Sequence, residues 1–256
     1  MFTFRPDDPS DDFVACFTAA GEHLASCLPP GFPYWLKRTV TPPFLEHLSF
    51  RLGNQLFFIR LEDVDRRLAM PGDRSLLDRI STGSQGHACL MPMRRGAAGW
   101  RPDLPGWGLV DAYTGLPVDP PALVSDALIE MTDWELHSMA VQVVQMQLAA
   151  ECGVTSLTVQ VDPKIDPSIW FEGSKGRSWI VLRASRDLEP FPARPSHILE
   201  MVRSPALRGT HGFFVGVRLS AVEQGSSAQA SGAARPLWRG HALQAAWTGL
   251  QPAYLQ

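Results

Sequence analysis

Four carboxylates and one cation set the chemical question. Asp162 and Asp166 each precede a proline in VDPKIDPSIW, Glu172 sits in the run that follows, and Arg183 closes the next run, RSWIVLR. An acid ahead of one strand, with an acid-x-Lys pair on the next, holds a divalent cation through hard oxygen ligands. Such a site activates water for phosphodiester cleavage. Glu135, on an upstream helical segment, is the fourth carboxylate.

Each acid also has an ordinary role. Thr132 and Glu135 form the T-x-x-E pattern of a capping box. Asp-Pro at 162–163 and 166–167 is common turn chemistry. Elsewhere, Cys16, His23 and Cys27 share one face of a helical segment and would need a fourth ligand, His87 or Cys89, to hold Zn²⁺. Small cysteines at such positions commonly face the core. His87-x-Cys89 places a base beside a thiol, with no third group to orient it. There is no phosphate-binding glycine loop and no G-x-S-x-G elbow.

Charge is unevenly spread. The chain is net −3. Residues 174–218 carry eight Lys/Arg against Asp187, Glu189 and Glu200, a net +5, whereas residues 1–173 carry 13 basic and 22 acidic side chains, a net −9. Lys175, Arg177, Arg183 and Arg186 are the candidates for contact with phosphates or with an acidic protein surface. The competing reading is that the basic segment docks on acids of its own chain, or is merely solvated.

These residues must be held by elements. Residues 12–28 read as an amphipathic helix capped by Asp11 or Asp12, and 41–53 as a second, short helix. Residues 54–64 and 86–95 read as strands, with Pro92 arguing that the latter lies at an edge or ends early. A helix is expected over 73–82 and a hairpin turn near Thr114-Gly115. The strongest helix runs from the Thr132 cap to Gly153, with Leu136, Ala140, Val143 and Ala150 on one face. Strands follow at 154–161, 168–173 and 177–185, then a helix at 194–207 capped by Ser196, and a strand at 209–222. Residues 223–235 are small and polar, a mobile loop, and HALQAAWTGL is a closing strand or short helix. No internal repeat is apparent.

From residue 125 to 222 the order is therefore helix, strand, strand, strand, helix, strand. That order resembles the core of the PD-(D/E)XK, or restriction endonuclease-like, superfamily. The resemblance implies an α/β (α+β) fold with a central mixed sheet flanked by helices in the C-terminal half. It also implies Mg²⁺ as the ion, Asp162 or Asp166 as the first acid and Glu135 as a helper; Arg183 then stands where the Lys belongs and Val181 where the second acid belongs, and one strand earlier Glu172 is the acid with Ser174 in the Lys position. Valine ligates nothing, so the expectation is no metal and no cofactor. GHACLMPM, PGWGLVDAYTG, MTDWELHSMAVQVV, DPSIWF and PLWRG are similar to stretches of an uncharacterised group of bacterial proteins, which implies a bacterial origin. Two lobes are expected, 1–124 and 125–256, or one fused domain.

Hydrophobic content of 45% with 19% charged residues is ordinary for a soluble globular protein. No apolar run reaches the length of a membrane span, and the acidic N-terminus is unlike a signal peptide. Four scattered cysteines, Cys16, Cys27, Cys89 and Cys152, suggest a reducing cytoplasm. The expected role is a non-catalytic binding or accessory module whose partner is a protein or a nucleic acid, not a membrane. The alternative is a metal-dependent nuclease with migrated acids drawn from Glu135, Asp162, Asp166 and Glu172.

Overall fold

A computed structural model describes residues 9–28, 34–38, 40, 47–71, 74–154, 157–160, 162–186, 190–222 and 236–254. The chain divides into two units, one ending at Ile129 and one running from Glu130. The class is α+β, with one mixed sheet in each unit.

In the N-terminal unit, α1 (Asp11–Cys27) buries Phe13, Cys16, Phe17, Ala20 and Leu24, which recur every three to four residues. Its cap is Ser10, not Asp11 or Asp12: the amide of Phe13 donates to the Ser10 hydroxyl at 3.2 Å. The two aspartates lie in the first turn, on the positive end of the helix dipole. Then come β1 (Tyr34–Lys37), β2 (His47–Leu52), β3 (Gln55–Asp63), α2 (Arg74–Ser84), β4 (His87–Gly96), β5 (Gly99–Pro102), β6 (Val110–Asp111) and α3 (Pro120–Leu123). The sheet order is β1-β2-β3-β4-β5, with β6 also on β4.

Two expectations fail in this unit. Of the helix expected over 41–53, residues 47–52 are strand, and 41–46 lie outside the described residues. Leu48, Phe50 and Leu52 alternate into the core, which is the period of a strand. Nor does Pro92 mark an edge or an early end, because β4 runs on to Gly96 and is flanked by β3 on one side and by β5 and β6 on the other. The proline lacks an N–H, but its carbonyl accepts the amide of Asp103 at 2.8 Å, and the next carbonyl, Met93, accepts Val64 at 3.1 Å. The turn expected near Thr114-Gly115 is present. The Asp111 carboxylate accepts the amides of Tyr113 and Thr114, and Gly115 takes φ +71°.

In the C-terminal unit α4 (Asp133–Cys152) starts on the expected capping box of Thr132 and Glu135 and ends at Gly153 with φ +64°. Its buried face is Leu136, His137, Ala140, Val141, Val144 and Leu148, rotated from the expected one. There follow β7 (Leu157–Val159), β8 (Ile169–Gly173), β9 (Gly176–Arg186), α5 (Ile198–Arg203), a 3-10 turn (Pro205–Leu207), β10 (His211–Ala221), β11 (Leu243–Trp247) and β12 (Gln251–Pro252). The sheet order is β11-β10-β9-β8-β7, with β12 also on β10. The cap position of α5 is His197, not Ser196, and no side chain caps it. The expected loop at 223–235 lies outside the described residues.

Strand β9 alternates between two cores. Ile180 and Leu182 pack with the α4 face, whereas Trp179 and Val181 pack with Ile198 and Met201 of α5. Gly212 on β10 makes room for Trp179: a Cβ there would stand 2.3 Å from the indole. Trp179 Nε1 in turn donates to the Thr210 hydroxyl at 3.0 Å. Gly212→Ala is therefore expected to destabilise this unit by about 1–3 kcal/mol through overpacking. Urea denaturation checks it, and an unchanged midpoint would show that Trp179 has room to move.

The two units are copies of one arrangement, contrary to the expectation of no repeat. Each runs helix, three antiparallel strands, crossover helix, then a strand parallel to the third. The registers agree as well. Leu52 pairs with Gln55 across Gly53-Asn54, and Gly173 pairs with Gly176 across Ser174-Lys175. Two residues on, Phe57 and Ser178 each pair with a histidine that opens the parallel strand, His87 and His211. Cys89-Leu90 then face β6 as Phe213-Phe214 face β12, and Met93 meets β5 as Val217 meets β11. In this register Phe50 matches Phe171, Ile59 matches Ile180, Leu61 matches Leu182, His87 matches His211 and Arg94 matches Arg218. So few identities leave no repeat visible in the sequence.

Candidate functional site

The described cluster that combines acid, base and cation lies in the C-terminal unit, where β9 ends and β8 begins. Asp166 precedes β8, Arg183 lies near the end of β9, and His197 opens α5. Arg183 grips Asp166 with both terminal nitrogens, Nη1 to Oδ1 at 3.0 Å and Nη2 to Oδ2 at 2.5 Å. His197 Nε2 stands 2.8 Å from the same Oδ2. Arg183 Nη1 also donates to the carbonyl of Leu182 at 2.7 Å. Burial pushes the Asp166 carboxyl up, but the Arg183 guanidinium and then His197 outweigh it, and the group is held below the usual carboxylate range.

Beneath them His137 of α4 is buried, its Nε2 donating to the carbonyl of Gln160 at 3.2 Å. Burial is the main reason that its imidazole is pushed down to about 4, and the Arg183 charge adds to the effect. Asp162 is buried too; its Oδ1 accepts the amide of Lys164 at 2.9 Å, and its own amide donates to Gln160 Oε1 at 3.0 Å. That is an Asx-type turn ahead of Pro167.

The other two acids lie elsewhere in the unit. Glu135 caps α4 and receives Arg239 in a two-pronged pair, Nε to Oε1 at 2.8 Å and Nη2 to Oε2 at 2.9 Å. Glu172 is exposed on β8, opposite Arg177 on β9. Val181, at the position of the second acid, is fully buried in the core under α5. Among the described residues no group of three or more His, Cys, Asp or Glu side chains is arranged to hold a metal ion.

The four candidate cations divide in two. Arg183 holds Asp166. Arg186 pairs with Asp133 at 3.2 Å and Glu130 at 3.7 Å, and donates to the carbonyl of Met131. Lys175 and Arg177 are exposed at the β8–β9 hairpin, with the Arg177 guanidinium 5.0 Å from the centre of the Trp170 ring.

The cysteine constellations dissolve. Cys16 and Cys89 are fully buried, and burial pushes both thiols up to about 12, so neither supplies a thiolate. His87 is engaged by Gln55 at 3.0 Å and stacks on Phe57. His23 Nε2 lies 3.0 Å from the carbonyl of Gly106 and 3.6 Å from Cys27 Sγ. Sequence reasoning missed Arg239, His137 and His197. Nothing in PLWRG marks its arginine as buried, and His137 was hidden by an apolar face placed one position away.

The fold and this cluster define an α+β protein of two register-matched units, with an acid–arginine–histidine group at the carboxyl ends of the parallel strands of the second. A family model described as a domain of unknown function, DUF8840, matches residues 134–253, which is the second unit from α4 to β12. No curated protein and no solved structure matches the chain. Among the described residues, no helix is long and apolar enough to cross a membrane.

Proposed function

We propose that the chain is a non-catalytic binding or accessory module. The observation that carries this reading is the neutralisation of Asp166 by Arg183 and His197. A carboxylate already receiving a guanidinium and an imidazole has little left to offer a divalent cation, which needs six or more oxygen ligands. The burial of Val181 and the engagement of Glu135 by Arg239 support it further. The element order of the second unit supports a restriction endonuclease-like core without the metal chemistry. We also place the protein in a bacterial cytoplasm, in keeping with the sequence stretches quoted above and with four free thiols. Lys175 and Arg177 are the part of the basic segment most open to a partner.

The test is incubation of the purified protein with single- and double-stranded DNA and RNA in Mg²⁺ or Mn²⁺, beside calorimetric titration of each metal. No cleavage and no metal site near micromolar affinity are expected. Metal-dependent cleavage abolished by Asp166→Ala would overturn the reading in favour of a nuclease that uses Glu135, Asp162, Asp166 and Glu172.

A further inference from the structure

The matched registers make the two units a comparison of equivalent positions, and the β2–β3 and β8–β9 hairpin tips are where they part. In the N-terminal unit the tip Gly53-Asn54 is covered by the chain that follows α3. A Cβ on Gly53 would stand 2.6 Å from Val124. The Asn54 side chain donates to the Ser125 hydroxyl at 3.1 Å and to the Ala127 carbonyl at 2.8 Å, and accepts the Ser125 amide at 3.2 Å. The covering segment, DPPALVSDA, combines Asp119 and Asp126 with apolar residues.

In the C-terminal unit no described segment covers the equivalent tip. Ser174, Lys175 and Gly176 are exposed, and a Cβ on Gly176 would meet no described residue within 4 Å. The tip is also basic. Lys175 and Arg177 have no ion-pair partner among the described residues. The crossover through α5 carries two more cations: Arg203 is the last residue of α5, and Arg208 lies three residues before His211, whose ring bonds the Lys175 carbonyl at 2.9 Å. Arg203 and Arg208 are exposed as well. The nearby acids are Glu172, opposite Arg177, and Glu200 on α5. Under Arg177, the buried Trp170 ring stacks on the guanidinium, its centre 5.0 Å away.

We infer that the β8–β9 tip docks an acidic, partly apolar peptide segment of a partner protein at the place where residues 119–127 cover the β2–β3 tip, with Lys175, in the register position of Asn54, meeting a carboxylate. The inference rests on the binding-module reading and names its partner. Charge complementarity favours this occupant, since a covering segment of the kind seen in the first unit carries two aspartates and the β8–β9 tip carries Lys175 and Arg177. A nucleic acid would meet the same cations, but the chain is net −3 and the equivalent tip is built around a peptide.

The experiment is fluorescence anisotropy with the full chain at ~50 mM salt, where attraction is only partly screened. The probe is a labelled peptide with the sequence of residues 117–129; labelled single- and double-stranded oligonucleotides run beside it. The peptide is expected to bind, and the double charge reversal Lys175→Glu with Arg177→Glu to weaken it about tenfold, since exposed ion pairs are individually weak. Asp119→Asn with Asp126→Asn in the peptide should weaken binding similarly. The double variant should keep the parent's circular dichroism and still melt in one transition, at a somewhat lower temperature because the reversal at 177 faces Glu172 and removes the cation over Trp170. No peptide binding, or equal binding to the double variant, overturns the proposal. Oligonucleotide binding lost in the double variant, without peptide binding, transfers the tip to nucleic acid and overturns it too. Oligonucleotide cleavage during the titration would sink the non-catalytic reading instead; intact oligonucleotides without peptide binding sink only the docking proposal.

Discussion

Arg239→Ala is expected to cost the C-terminal unit about 3–5 kcal/mol, the range for breaking a buried ion pair by removing one partner. The guanidinium is 1% exposed and the Glu135 carboxylate 10%. Both prongs of the pair are short, and Glu135 Oε2 also accepts the amide of Thr132 at 2.9 Å. The pair thus ties together the cap of α4 and the segment around Trp238. Backbone links run beside it, from the Met131 amide to the Leu237 carbonyl at 2.7 Å and in a bridge between Glu130 and Trp238. Without Arg239, the carboxylate stays buried with only the capping donors. Glu135→Ala should cost as much, plus about 1 kcal/mol for the lost half of the capping box. Arg239→Lys should recover only part, because an ammonium cannot reproduce the fork. The double replacement Glu135→Leu with Arg239→Met should lie well above either single alanine variant, since no charge is then left buried. Urea denaturation of the four variants gives the comparison. Single losses under ~1 kcal/mol, as at exposed pairs, would mean that water reaches this site.

Most of the elements were legible in the sequence because their signals are local. Thr132 and Glu135 with Gly153 marked both ends of α4, and the apolar runs at 55–63, 176–186 and 211–221 read as strands. The second strand was misread because the prolines ahead of it suggested a helix start, although Leu48, Phe50 and Leu52 alternate with period two. The repeat was invisible for a different reason. A strand position demands a buried side chain of suitable size, not a particular residue, so Phe57 and Ser178 or Cys89 and Phe213 occupy equivalent places. Backbone pairing preserves what side-chain identity does not.

The candidate site was legible only as a list of charges. Asp166 and Arg183 were both singled out, but as a metal ligand and a phosphate contact; together they neutralise each other. The sign of a segment therefore misled. Of its net +5, Arg183 and Arg186 are spent on Asp166, Glu130 and Asp133; Arg218, paired with Ser185, lies at that same end, and Lys175 and Arg177 are left exposed at the opposite end, on the β8–β9 tip. Pairing across 17 to 56 residues of chain cannot be read from spacing, because a sheet register and a crossover bring those groups together.

The stability of the C-terminal unit is expected to fall by about 3 kcal/mol as pH drops from 6.5 to 4, through His137 alone, at 1.36 kcal/mol per unit of pKa shift. The imidazole is buried, and its pKa is pushed down to about 4 against 6.5 in the unfolded chain. Below 6.5 the unfolded chain binds a proton there that the folded chain refuses, so acid draws the equilibrium toward unfolding until the folded value is passed. Burial is the main cause. Arg183 opposes a second positive charge, while the Gln160 carbonyl, Asp166 and Asp162 favour it and offset part of the cost. Asp166 acts in a separate window: its lowered carboxyl contributes stability that is present above the ordinary carboxylate value and lost as pH falls through the folded one. Between pH 6.5 and 4.5 the slope therefore belongs chiefly to His137. His137→Gln keeps a donor for the Gln160 carbonyl and has nothing to titrate. Its urea-derived stability should stay nearly level across that window while the parent's declines. Parallel decline of the two proteins would sink the assignment and move the acid sensitivity to another group.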